Sequence, residues 1–149
     1  MNGRLARARF DVLKAEAFIR GENTLAVVSE RTFEEMAARF EERVASAAFD
    51  MVHTHDFNEL LARQGETLDH RSRVYEICSS DFAAQLLTLD PGLAHALPFR
   101  ISIHDRGGVV TVSTPMPTAV LIEFSHARSV AGLARTIEAS LLRLLRSLQ

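Results

Sequence analysis

The run Val74-Tyr75-Glu76-Ile77-Cys78, taken with Ala96-Leu97-Pro98-Phe99-Arg100-Ile101-Ser102-Ile103 and the turn Asp105-Arg106-Gly107-Gly108, decides the fold. Residues 71–78 alternate as a strand with one buried face would. Ser80 with Asp81 then starts a helix carrying Phe82, Ala83, Leu86 and Leu87, and Asp90-Pro91-Gly92 stops it. Phe99, Ile101 and Ile103 alternate up to the glycine pair, which supplies the positive φ of a tight hairpin turn, and Val110 and Val112 return antiparallel. Pro115 and Pro117 cannot donate to a ladder, so they end pairing or place that stretch at an edge.

Upstream, Leu25-Ala26-Val27-Val28 predicts a short buried strand. Thr32 and Glu35 have the spacing of a capping box, and Phe33, Met36, Ala37, Phe40, Val44 and Ala47 recur at helical steps behind it. Phe49 to His55 predicts a second strand; Asp56 and Glu59 then open a two-turn helix burying Phe57, Leu60 and Leu61, closed by Gly65. Downstream, Val130, Leu133, Ile137, Leu141, Leu144 and Leu148 form one stripe of a final helix, and Leu142 and Leu145 add a second. A stripe this wide exceeds one contact face, so these leucines should pack on two surfaces or on a second chain. The elements in order predict an α+β fold: a mixed, mainly antiparallel sheet packed with helices, ending in a long C-terminal helix.

Residues 1–22 stand apart. Arg4, Arg7, Arg9, Lys14 and Arg20 against Asp11, Glu16 and Glu22 give this segment a net +2, and its loose helical pattern ends at Gly21. It is expected to be a basic amphipathic extension packed on the single α+β domain of residues 23–149. A length of 149 residues suits one core. A formal charge of -2, with one tyrosine and no tryptophan, argues against nucleic acid as a partner. No apolar run approaches the length of a spanning helix, so no membrane partner is expected. The single cysteine, Cys78, cannot close an internal disulfide, which fits a reducing cytoplasm.

Three sets of residues could carry chemistry. His53 and His55 lie two apart in a strand, so both can face one metal or haem iron; they supply two ligands where zinc wants three or four, and Phe49 and Met51 are expected on the same face. Cys78 sits where a strand hands over to a helix, whose N-terminus would favour the thiolate; it could equally be a small buried hydrophobe. Glu76 is in phase with Cys78, and if the neighbouring strand pairs with it, Arg100 can reach Glu76 in a charge-assisted contact or in a plain structural ion pair. No phosphate loop, zinc-protease helix or nucleophile elbow is present, and no catalytic residue is assigned.

The quoted run, with the strand ending at Pro117-Thr118-Ala119, resembles the domain-of-unknown-function 302 family of small bacterial and archaeal α+β proteins, over roughly Thr24 to Leu148. The resemblance implies the same fold and a homodimer. Family members often carry a histidine and an aspartate in the stretch of His53 to Asp56. They usually show cysteine-asparagine-proline at Cys78 and a second cysteine after leucine-proline; here Ser79, Ser80 and Phe99 stand at those positions, so any role of a thiol pair is lost. The expected function is non-enzymatic binding of a small molecule at His53, His55, Glu76, Cys78 and Arg100. The alternatives are a haem- or metal-binding protein using His53 or His55, and an enzyme with Cys78 as nucleophile. The residues name no cofactor.

Overall fold

The computed structural model describes residues 16–149. Six strands form one sheet in the order β1-β2-β6-β5-β4-β3, and every neighbouring pair is antiparallel. The strands are β1 (Glu16–Arg20), β2 (Thr24–Ser29), β3 (Asp50–Asp56), β4 (Ser72–Cys78), β5 (Phe99–Arg106) and β6 (Val109–Pro115). The helices are α1 (Phe33–Ala45), α2 (Phe57–Ala62), α3 (Ser80–Leu89), the short α4 (Pro117–Val120) and the long α5 (Arg128–Arg146). The α+β architecture is therefore as expected from the sequence, with a sheet that is antiparallel throughout.

The strands alternate as their sequences do. Leu25 and Val27, Tyr75 and Ile77, Phe99, Ile101 and Ile103, and Val110 and Val112 project to one face and join a single core with Met36, Phe40, Ile137, Leu141 and Leu145 from the helices. Each fully buried Leu or Ile there contributes about 1.5–3 kcal/mol. Thr32 and Glu35 close the capping box of α1, with Thr32 N–H donating to Glu35 and Glu35 N–H to Thr32 Oγ1. Gly107 and Gly108, at φ 61° and 81°, make the two-residue turn between β5 and β6, a conformation that residues with a Cβ resist. Pro115 takes the option of ending pairing: β6 lies inside the sheet, and Pro115 is its last residue, opposite Thr24.

Several local expectations are corrected. Residues 1–15 lie outside the described residues, but Glu16–Arg20, read as the end of a helical extension, forms β1 on the edge beside β2. Tertiary contacts outweigh the weak helical pattern there. Arg20 Nη2 donates at 2.9 Å to Glu138 of α5, a carboxylate only 8% exposed that also accepts the N–H and hydroxyl of Thr118. The α3 cap is Ser79, whose hydroxyl accepts from Phe82 N–H, one residue earlier than Ser80. Pro91–Ala96 adds a 3-10 turn. Helix α2 buries no residue fully: Leu60 is 44% exposed, because two turns against a sheet edge have little surface to cover.

The surplus leucines of α5 find their partners within the chain. Leu141, Leu144, Leu145 and Leu148 are buried, and Leu142 packs against the same core. The leucines of both stripes thus pack on the chain's own core, with Leu142 only partly buried there. No helix among the described residues is long and apolar enough to cross a membrane.

Candidate functional site

Opposite the core, the sheet presents an outer face of half-buried and exposed side chains. Strand β4 runs between β3 and β5 there, and its register aligns three polar residues: His53 lies across from Glu76, and Glu76 across from Arg100. Directly opposed residues on one sheet face have their Cβ atoms about 4.5–5.5 Å apart, so this alignment is enough to bring the groups together. His55, opposite Val74, approaches Glu76 on the diagonal. Its Nε2 lies 3.4 Å from Glu76 Oε1, and Arg100 Nε lies 3.5 Å from the same oxygen. Glu76 is 17% exposed and Arg100 70%. The His53 and His55 rings meet edge to face with centroids 4.5 Å apart.

The histidines owe this position to an irregularity. The β3–β4 register slips between Met51 and His53, leaving Val52 as an extra residue that is 55% exposed. A bulge shifts the two-residue period by one, so residues before and after it exchange faces. Met51, expected beside the imidazoles, is aligned with core-facing Ile77, whereas His53 and His55 align with the outer residues Glu76 and Val74. The apolar company predicted for the histidines is thus removed.

Four of the five proposed residues, His53, His55, Glu76 and Arg100, are brought together. Cys78 continues the same face of β4 one row on, opposite Asp50. Its thiol donates to the Ser79 carbonyl at 3.8 Å. Burial pushes its pKa up, the Ser79 backbone partly opposes the rise, and Asp50 adds a lesser increase. The activation expected from the helix N-terminus is outweighed. Among the described residues no group of three His, Cys, Asp or Glu side chains is placed to hold a metal ion.

Two polar features escaped the sequence reading. On the inner face, Tyr75 donates to Glu41 at 2.7 Å and accepts from Arg73, which also reaches Asp56 at 3.2 Å. Arg71 joins Asp56 to Glu34, and both guanidinium groups stand over the Phe33 ring. Burial drives the Tyr75 pKa up to about 12, with Glu41 acting in the same direction. The alternation Arg71-x-Arg73-x-Tyr75 was a visible signal for one face of a strand, but its acidic partners lie far along the chain. The second is a cleft between the ends of α1 and α5, lined by Arg43, Arg143 and three serines.

An antiparallel α+β domain with helices on one face and a polar cluster on the other is the class these observations define. The family described as Domain of unknown function DUF302 matches residues 25–148, and the chain belongs to it. A crystal structure of an uncharacterised conserved DUF302 protein from Bacillus stearothermophilus has a similar fold, with a TM-score of 0.80 at 20% identity over 87% of this chain and 100% of that one. No curated protein matches the chain.

Proposed function

We propose that this domain is a non-enzymatic, cytoplasmic binding protein that takes a small polar ligand on its outer sheet face, acting as a homodimer. The observation that carries the reading is Glu76. Its Oε1 has His55 and Arg100 at 3.4 and 3.5 Å, longer than charge-assisted hydrogen bonds usually run. A carboxylate has about four acceptor positions, and these contacts leave it capacity to accept from a ligand donor. Arg100, largely exposed, offers donors to an acceptor on the same ligand, while His53 and His55 provide flat ring surfaces beside it. Cys78 borders this patch and takes no chemical step in the reading. The homodimer follows from the family resemblance, since the α5 leucines are already occupied within the chain.

A native mass spectrum of the protein purified from its own source tests both parts together. The expected result is a two-chain species with a retained small molecule, and loss of that molecule, with the subunit count unchanged, in Glu76→Gln. A bare single chain in both forms would overturn the reading.

The His53–His55 pair favours a second reading, in which one imidazole ligates haem iron or a transition metal. Addition of hemin should then produce a Soret band that disappears in the His53→Ala, His55→Ala double variant; an unchanged spectrum of free hemin would remove this alternative.

A further inference from the structure

The cleft between the C-terminal ends of α1 and α5 brings two arginines and three serines together. It measures about 400 Å³ and is lined by Arg43, Ser46, Phe49, Arg143 and Leu144, among others, with no aspartate or glutamate. Five arginines elsewhere are matched to carboxylates, Arg20 to Glu138, Arg63 to Glu59, Arg71 to Glu34, Arg73 to Asp56 and Arg100 to Glu76, and Arg39 donates to the carbonyls of Leu148 and Gln149. Arg43 differs. Its Nε is buried, yet among the described residues it has no hydrogen-bond partner. A buried donor left unmade is costly, and native structures contain few of them.

A structural role for these arginines would be to neutralise the carbonyl ends of the two helices. That role does not account for Arg43 Nε, which bonds to none of those carbonyls, and the ends are served otherwise. Ser46 N–H donates to the carbonyls of Arg43 and Val44, and Ser147 N–H to those of Arg143 and Leu145. Each helix end carries roughly half a negative charge, so two guanidinium groups leave the cleft net positive. Arg143 Nη2 donates to Ser140 Oγ at 3.0 Å, which directs one arm of its fork and leaves its other N–H groups free for a ligand. Behind the polar rim, Phe49 and Leu144, both 3% exposed, supply an apolar wall.

We infer that this cleft is a binding site for a small organic anion, whose carboxylate or phosphate group lies between Arg43 and Arg143 and whose short apolar body rests on Phe49 and Leu144. Arg43 Nε is closed to solvent as the side chain stands, so binding would turn the Arg43 guanidinium toward the cleft, where its planar fork suits either head group and its Nε gains the acceptor it now lacks. The site is separate from the Glu76 cluster and does not depend on it.

The side-chain Nε–Hε resonances of the arginines report on this directly, with the whole chain titrated by sodium phosphate and, separately, by sodium butyrate against sodium chloride at equal ionic strength. The expected result is a saturable shift of the Arg43 Nε–Hε signal with at least one of the two probes, while surface-paired Arg63 stays in place. Arg143→Gln, a change at an exposed position, should weaken that binding about tenfold, the loss typical of one charge-assisted hydrogen bond. Glu76→Gln should leave it unchanged. Butyrate binding more tightly than phosphate would assign the ligand to the carboxylates, and the reverse to the phosphates. An Arg43 signal that moves with neither probe, or moves equally in chloride, would overturn the inference. So would binding that Arg143→Gln does not weaken.

Discussion

The two faces of β4 handle polar groups in opposite ways. On the inner face Tyr75, Arg73 and Asp56 belong to a chain of contacts at 2.7–3.2 Å that runs on to Glu41 of α1. On the outer face, one residue further along, Glu76 touches His55 and Arg100 only at 3.4 and 3.5 Å. The inner network fixes α1 and the start of α2 against the sheet, and its short bonds leave little for a ligand to use. The outer cluster has unspent acceptors and an exposed guanidinium. A sheet strand thus separates architecture from binding capacity by nothing more than the alternation of its side chains.

The largest expected effects lie on the inner side. Leu145→Glu places a carboxylate at a fully buried position and should abolish cooperative unfolding by circular dichroism, whereas Leu142→Glu, at a half-buried position, should leave a folded protein. An assay of α5 as a dimer surface therefore has to use Leu142 alone. Tyr75→Ala should cost about 3–5 kcal/mol in urea denaturation, the range for emptying a buried aromatic site. Tyr75→Phe, which removes only the hydroxyl from the network, should cost about 1–3 kcal/mol. Glu76→Gln should change stability by no more than about 0.5 kcal/mol, as is usual for residues outside a saturated network. A loss as large as that of Tyr75→Phe would break the comparison and make the outer cluster structural.

The contrast also has a pH signature. Burial alone would raise the Asp56 pKa, but the Glu59 N–H and the Arg73 and Arg71 guanidinium groups outweigh it and hold the carboxyl below its ordinary value of 3.8. A carboxyl whose folded pKa is depressed contributes stability that is full above the unfolded value and lost as pH falls through the folded one. Urea midpoints should therefore decline below about pH 4, and Asp56→Asn should flatten that decline. The smallest effect concerns Cys78. With its pKa raised, alkylation by iodoacetamide near neutral pH should be slower than that of a free thiol, and a faster reaction would revive the nucleophile reading.

Much of the fold was legible in the chain because it depends on local chemistry. The capping box at Thr32 and Glu35, the alternation of Phe99, Ile101 and Ile103, and the glycine pair at the hairpin each carry their own signal within a few residues. The candidate site was legible in part. Glu76 opposite Arg100 follows once β4 and β5 are neighbours, since register then sets the pairing. The sharing of one face by Met51 and the two histidines was misread, because a bulge at Val52 leaves no mark in composition yet reverses every side chain beyond it.

Residue order by itself determined α1, α2, α3 and α5, most of the strands, the tight turn and the absence of a crosslink, because backbone preferences and side-chain periodicity act over short distances; the strand expected to end at Pro117-Thr118-Ala119 stops instead at Pro115, and Pro117–Val120 turns into α4. Only the folded structure decided that Glu16–Arg20 is an edge strand, that the leucines of α5 are spent inside the chain, and that Arg43 and Arg143, a hundred positions apart, share one cleft. Those outcomes rest on contacts between distant segments, where burial and ion pairing outweigh local preference and no short stretch of sequence records the partner.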